Sequence, residues 1–343
     1  MLFIRPVEFE DLDALLQMSV EVGTGMTSMP NDEGTWLERI RSSKDTFAGE
    51  ANTTDEGVYF MVAEDSDTGE VVGTTAIYVG IGTKSPFFSY KKTLIVKYSK
   101  ELEKTIETPV LNLVNDFTRA SEVGSLFLSQ SHRHSSYGQF MSRSRYLLMA
   151  DFPERFADDV IAEMRGWQDA DGNSPFWQAL GKKFFDLPFE NADYISATKG
   201  SQFIQDLMPK YPVYIDLLPE DAQACIGKPH AVSAKAIHML EKEGFRYDGY
   251  VDVFDGGPTV HCRLEQIQTV RDSRLYTVQI TDNIADNKQR YVISNRNIAH
   301  YRVVVQPANL CGDSVEIKAE TANILGVSSG DTVNLFAMME KKS

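Results

Sequence analysis

Cysteine is nearly absent from this 343-residue chain: only Cys225, Cys262 and Cys311 occur, odd in number and far apart. That excludes a disulfide framework and fits free thiols in a reducing compartment. No apolar run approaches the roughly 20 residues a bilayer span needs, so no membrane partner is expected. The opening MLFIRPVEFEDLDALL lacks a basic start and a small-residue cleavage site, so no export signal is read and a cytoplasmic location is expected. Positive charge is scarce as well. Lys and Arg number 34 against 49 Asp and Glu, for a net charge of −15. This balance argues against nucleic acid as a partner but leaves room for a small anionic ligand held by a local patch. There is no P-loop and no nucleophile elbow, and GIGTKS (Gly80–Ser85) has Ser85 where a dinucleotide fingerprint needs its third glycine. His132 and His134 lack a neighbouring ligand, and His230 and His238 are not four apart, so no metal is expected.

What is present is a basic patch in an acidic protein. Between Thr118 and Arg145 lie Arg119, Arg133, Arg143 and Arg145 against the single acid Glu122. The segment SLFLSQSHRHSSYGQFMSRSRYLL (Ser125–Leu148) reads as a buried strand, a polar loop and a helix. Such a turn aims backbone N–H groups and the positive helix end at one point, where a pyrophosphate fits. Small residues at Ser136 and Gly138 let phosphates approach the backbone; otherwise Gly138 merely relieves strain in an ordinary turn.

Around this segment the pattern mixes strands and helices. LFIRP is a strand, and Glu8 and Asp11 open a helix with Leu12, Leu15, Leu16 and Val20, ended by Gly23 and Gly25. Trp36, Leu37 and Ile40 predict a second, shorter helix. VYFMVA and EVVGTTAIYVGI pair around an Asp-Ser-Asp-Thr-Gly turn, and TLIVKYS, GSLFL and DVIAEMRGWQ are further strands. In SPFWQALGKKFF, Ser174 caps, Pro175 takes the first turn, and Phe176, Trp177, Leu180 and Phe184 share one face. Short helices SQFIQDLM and PEDAQACIG precede a helix over Ala231–Glu243 that Gly244 stops, and FRYDGYVDVFDGGPTVHC alternates like strands. The final eighty residues turn to short strands with one helix, AETANILG. The expectation is an α+β main domain over 1–263, elaborated in 150–230, and a small β-rich, barrel-like domain over 264–343.

RHSSYG (Arg133–Gly138), following LFL, resembles the coenzyme A pyrophosphate loop of the GNAT acyltransferases, with Ser136 where their pattern has glycine. IRPVEFEDLDALLQM resembles their opening strand and helix, YFMVAEDSDTGEVVGTTAI their hairpin, and AKAIHMLEKEGF their late helix closing on Gly-Phe. MTSMP, AEMRG, SPFWQALGKKFF, LMPKYPVY and LEKEGFRYDGYVDVFDGGPT are similar to the arginine N-succinyltransferase family almost end to end. The resemblance implies a GNAT-like core with a mixed, mostly antiparallel sheet flanked by helices, and a β-rich C-terminal extension. It implies transfer of succinyl from succinyl-CoA, a co-substrate rather than a prosthetic group, to the α-amine of L-arginine in arginine catabolism.

It also assigns roles residue by residue. Leu126 falls where the family binds succinyl-CoA, its backbone N–H polarising the thioester carbonyl. The position at which many GNAT enzymes carry a tyrosine acid is Leu240, and the family's proton-donor histidine matches His230 in IGKPH. At the start of the Ala231–Glu243 helix the dipole disfavours an imidazolium there. Arg133, Ser136 and Gly138 are expected at the coenzyme. The acceptor's guanidinium wants carboxylates, for which Glu163 and Asp255 are candidates, and the carboxylates of the acceptor and of the succinyl group want arginines, for which Arg145 and Arg165 are. Each of these four also reads as a structural ion pair. Ornithine or another amino acid as acceptor, a different acyl donor, and a non-catalytic acyl-CoA-binding subunit stay open. So does assembly as a homo- or hetero-oligomer.

Overall fold

The computed structural model describes residues 1–338 except 23–25, 27, 50–55, 134–135, 170–171, 201 and 285–288. The expected helix stop at Gly23 and Gly25, and His134 in the basic loop, lie outside the described residues. The chain begins with β1 (Leu2–Pro6), α1 (Leu12–Val22), α2 (Glu33–Phe47), β2 (Gly57–Asp65) and β3 (Glu70–Val79). Next come β4 (Ser89–Ser99), β5 (Lys104–Val114), β6 (Ser121–Leu128), α3 (Tyr137–Asp151) and β7 (Asp159–Glu163). A helical stretch follows: α4 (Pro175–Ala179), α5 (Gly181–Phe185), α6 (Phe189–Lys199), α7 (Gln202–Leu207), the short strand β8 (Val213–Tyr214) and α8 (Glu220–Cys225). Then come α9 (Ala234–Glu243), β9 (Arg246–Asp252), β10 (Pro258–Arg263) and α10 (Gln268–Asp272). The remainder is β11 (Arg274–Ile280), β12 (Arg290–Ser294), β13 (Val303–Pro307), β14 (Asn309–Cys311), β15 (Ser314–Ile317), α11 (Ala319–Leu325) and β16 (Thr332–Met338).

These strands join one sheet in the order β14-β15-β11-β16-β12-β13-β1-β2-β3-β6-β7-β10-β9-β4-β5-β8. Only β6–β7 and β11–β15 pair in parallel among the registers described. The fold is therefore α+β with a mixed, mostly antiparallel sheet. Strand β2 shows why its sequence is a continuous apolar run. Val58, Phe60 and Val62 pack under α1 and α2, where Trp36 meets Phe60 edge-on at 5.3 Å. The alternate residues Tyr59, Met61 and Ala63 join the core built around α3. A strand covered on both faces has no polar side to show.

The β-rich C-terminal region attaches through β13 on β1. It also grips the end of α3. The buried Asp151 carboxylate accepts hydrogen bonds from Ser294 Oγ at 2.5 Å and Asn334 Nδ2 at 2.9 Å, with Arg296 Nε at 3.2 Å. Burial nevertheless pushes this carboxyl up to about 6. The helix that closes the basic segment is thus held at its far end by the C-terminal strands.

Several local expectations change. Helix α2, at 15 residues, is longer than the 11-residue α1. The SPFWQALGKKFF helix is two short ones, with Ser174 accepting from Trp177 N as a cap and the break at Leu180. A Cβ on Gly181 would lie 2.2 Å from the Trp177 ring, so the break lets that indole close over the backbone. Phe184 is exposed and does not share the buried face. The strand expected through Gln168 ends at Glu163, and the 231–243 helix begins as a 3-10 turn over Ala231–Ser233. Strand β5 and helix α6 have no counterpart among the expected elements.

Candidate active site

Strands β6 and β7 pair in parallel at only two positions, Ser121↔Val160 and Glu122↔Ile161. Beyond them β6 stays with β3 and β7 with β10, so the two diverge. A cleft of about 2190 Å³ opens at this divergence, lined by Glu122–Leu128 of β6 and by Ala162–Arg165. Strand β6 carries a bulge there. Its register shifts against Thr74–Ala76, and Ser125 takes φ of +49°. The bulge is pinned by Thr74 Oγ1 donating to Ser125 O at 2.8 Å and by a 2.6 Å contact of Ser125 Oγ with Tyr78 Oη. Such a bulge re-aims the backbone next to a site.

Of the basic segment, Arg133, Arg143 and Arg145 reach this cleft, whereas Arg119 is not among its lining residues. Arg133 donates to Leu128 O at 2.7 Å and stacks over Phe127. Arg143 does not serve as free charge: it is buried in a 2.9 Å ion pair with Glu243, a hundred residues away. Arg145 donates to Ser142 O and Oγ, and burial works against its charge. Helix α3 starts at Tyr137, and Ser136 makes no side-chain cap bond. Gly138 is therefore the second helical residue rather than a loop residue. A Cβ there would meet nothing within 4 Å, so the glycine relieves no internal crowding and leaves open space at the helix start. Lys235 and Lys242 on α9 and Arg290 on β12 add positive charge to the lining of the same cleft, none of it legible as part of the patch in sequence.

The opposite chemistry gathers from β6, β7 and β9. Glu122, Glu163, Asp252 and Asp255 all line the cleft. Burial pushes the Glu122 carboxyl up to about 7. Burial and then the charges of Asp252, Glu122 and Asp255 hold Glu163 well above the usual range. Asp252 is raised by burial and by Asp255. Asp255 is raised by burial despite accepting from Gly166 N at 2.6 Å and Gly257 N at 2.8 Å. Its two oxygens thus hold the Gly256–Gly257 turn, a structural duty as well as a place in the cleft. Arg165 donates to Gln168 Oε1 at 2.5 Å, while its Nε is buried without a partner.

His230 lies just outside the lining, immediately before Ala231–Ser233, which are part of it. Its N–H donates to Arg165 O at 2.8 Å, and its Nδ1 accepts from Val232 N at 3.3 Å. Burial and then the Arg165 charge lower its pKa, with Asp255 opposing. Leu126 and the eight other candidates named from sequence thus converge on one cleft, with His230 at its border.

Two strands that part over a long cleft, one of them bulged, facing a helix start and a basic wall, place this molecule among the GNAT-like acyltransferases. The chain matches the family model "Arginine N-succinyltransferase beta subunit" over residues 2–269 and that family's C-terminal domain over 274–337. It is 41% identical over 338 residues to an arginine N-succinyltransferase of Escherichia coli strain 55989, covering 98% of each chain. It is 39% identical over 344 residues to one from Yersinia pestis strain Pestoides F, again with 98% of each chain covered. The solved arginine/ornithine succinyltransferase subunit AI of Pseudomonas aeruginosa superposes with a TM-score of 0.91 at 35% identity, covering 99% of each chain. The chain belongs to the arginine N-succinyltransferase family and is an acyltransferase.

Proposed function

We propose that the protein transfers succinyl from succinyl-CoA to the α-amine of L-arginine, giving N2-succinylarginine and free coenzyme A. The observation that carries this reading is the pairing, in one cleft, of basic side chains with four carboxylates, Asp255 buried and Glu122, Glu163 and Asp252 half-buried. Each half suits one substrate: phosphates and succinate are anionic, the acceptor is cationic. The coenzyme lies with its pyrophosphate at the start of α3, near Ser136, the open side of Gly138 and Arg133. Its thioester sits in the gap beside Leu126, whose backbone N–H polarises the carbonyl. Glu163 and Asp252 face the guanidinium, whose charge offsets the burial and the mutual repulsion that hold their carboxyls above the usual range, and Asp255 fixes the turn that presents them. Arg165, with its unpartnered Nε, takes a substrate carboxylate, and Arg145 lends its charge to the same end.

Attack requires a neutral amine, and departure requires a protonated thiolate. Glu122 accepts the ammonium proton, and His230 returns a proton to the leaving sulfur. Residues 1–263 form the catalytic body and 264–343 a unit that buttresses α3, although Leu264 and Ile267 reach back into the first core. The donor acts in a soluble small-molecule reaction expected in the cytoplasm.

Incubation with succinyl-CoA and L-arginine should release thiol and form the amide. Comparing kcat/KM for arginine and ornithine reads the acceptor preference, with arginine expected to lead. Silence with both amines would overturn the assignment. Removing one positive group at the coenzyme, in Arg133→Ala, should weaken coenzyme binding by about tenfold, the lower end for a charge-assisted hydrogen bond. The difference should shrink as salt is added. Unchanged affinity by calorimetry would assign Arg133 to another role.

A further inference from the structure

The register of β6 against β3 leaves two residues out of the ladder. Thr74 pairs with Phe127 and Ala76 with Gly124, so Ser125 and Leu126 together oppose Thr75 alone. Strand β7 pairs with β6 only at Ser121 and Glu122 and does not reach them. Both residues line the cleft. Thr74 Oγ1, donating to Ser125 O at 2.8 Å, fixes the peptide between them. In a trans peptide the N–H points away from the C=O, so the Leu126 N–H is turned from β3 toward the cleft. Ser125 itself holds the left-handed region, where a side chain carries a cost that glycine avoids. Such an outlier beside a cleft points to a function for its side chain.

What serine supplies there is a hydroxyl in a defined contact. Its Oγ lies 2.6 Å from Tyr78 Oη. Gly124 makes room for the tyrosine, since a Cβ there would come within 3.2 Å of Tyr78 Cε2. Two hydroxyls sharing one contact have a proton to spare. The phenol is the more acidic of the two and hence the better donor. Burial raises its pKa, so it stays protonated across the neutral range. Tyr78 therefore donates to Ser125, and the Ser125 proton is the one left for the cleft.

We propose that the Ser125 hydroxyl is a second donor to the thioester oxygen of bound succinyl-CoA, beside the Leu126 N–H, and that Tyr78 is the positioning residue that orients it. This role rests on the succinyl transfer proposed above. The Oγ of one residue and the N–H of the next are close enough to reach a single oxygen atom. Charge grows on that oxygen as the amine lone pair forms the C–N bond and the carbonyl π pair moves onto oxygen. When the pair returns, the C–S bond breaks and its electrons leave on sulfur. Ser125 keeps its proton throughout and stabilises the charge. A fixed donor does so most effectively out of water, and Ser125 is only 2% exposed.

Ser125→Gly removes the hydroxyl and suits the left-handed backbone. It should melt no lower than wild type, bind succinyl-CoA within a few-fold, and lose about 10²-fold in kcat, the effect of one missing oxyanion donor. Ser125→Ala, which keeps a Cβ, should show the same loss, so the outcome does not depend on the folding of one variant. The direct readout is the infrared band of an isotope-labelled thioester carbonyl in bound succinyl-CoA, without acceptor. Hydrogen bonds to this oxygen lower its frequency. The band should lie below its solution position in the wild type and move part of the way back in Ser125→Gly. Tyr78→Phe should move it in the same direction and cost roughly tenfold in kcat. Added to Ser125→Gly, it should cost nothing more. A folded Ser125→Gly enzyme with wild-type kcat, or an unmoved carbonyl band, would overturn the proposal. A wild type silent with arginine would overturn the assigned acceptor instead, and the carbonyl band would still test the donor.

Discussion

His230→Ala is expected to lower kcat by about 10²- to 10⁴-fold, the range for a lost general acid or base, while coenzyme affinity stays within a few-fold. In the proposed reaction the acid is the His230 imidazolium, formed when the ring takes up the second proton that the amine loses. Its Nδ1 already accepts the Val232 N–H, so the neutral ring carries its proton on Nε2. Burial and Arg165 lower its pKa, which makes any imidazolium a readier acid toward a departing thiolate. Two effects of the substitution must be separated. Losing the cap on Val232 N–H costs about 1 kcal/mol of local stability, too little to account for a drop of that size in rate. A donor whose leaving thiol is much more acidic, such as a nitrothiophenyl succinyl thioester, needs no proton at departure. With it the variant should recover most of the wild-type rate. Near-normal turnover with succinyl-CoA, or no recovery with the activated donor, would remove His230 from the proton path.

The basic loop that stands out in sequence turns out to be only part of the basic wall, and the reason is long-range pairing. Arg143 looks available in SRSRYLL, yet Glu243 cancels its charge across a hundred residues. Lys235, Lys242 and Arg290 look like ordinary surface charge until α9 and β12 fold against the cleft. The same limit hid the carboxylates. Glu163 and Asp255 stand out as polar residues among apolar neighbours, but Glu122 reads as one acid in a basic stretch, and Asp252 as one of several in DGYVDVFDG. Only the sheet order β6-β7-β10-β9 makes them neighbours. In the folded chain Glu122, Gly124 and Leu126 are half-buried and alternate with buried neighbours, the mark of a strand whose second face meets a cleft. Local chemistry was legible where it is local, as at the Ser174 cap and the left-handed Gly244 that ends α9. Strand β5 was not, because the charged first half of KTIETPVLNLV has no core beneath it to impose a pattern.

Glu122→Gln should cost about 10²-fold or more in kcat/KM at neutral pH and should change the pH profile. The sign follows from the direction of the shift. Burial raises this carboxyl to about 7, so below that pH it holds a proton and cannot take one from the substrate ammonium. In the wild type kcat/KM should therefore climb as pH rises through about 7, since this ratio reports groups of the free enzyme. In the Gln variant that limb should vanish, leaving only the rise set by the substrate's own amine. Glu163 provides the contrast. Its carboxyl is held well above the usual range by burial and by three neighbouring acids, and in the proposed reaction it meets the acceptor's cation rather than the amine's proton. Glu163→Gln should accordingly raise KM for arginine by about tenfold, one lost charged contact, and leave the pH midpoint in place. If Glu122→Gln instead kept the limb near pH 7 and shifted only KM, the carboxylate would be an anchor for the acceptor and the base would have to be sought elsewhere in the cleft.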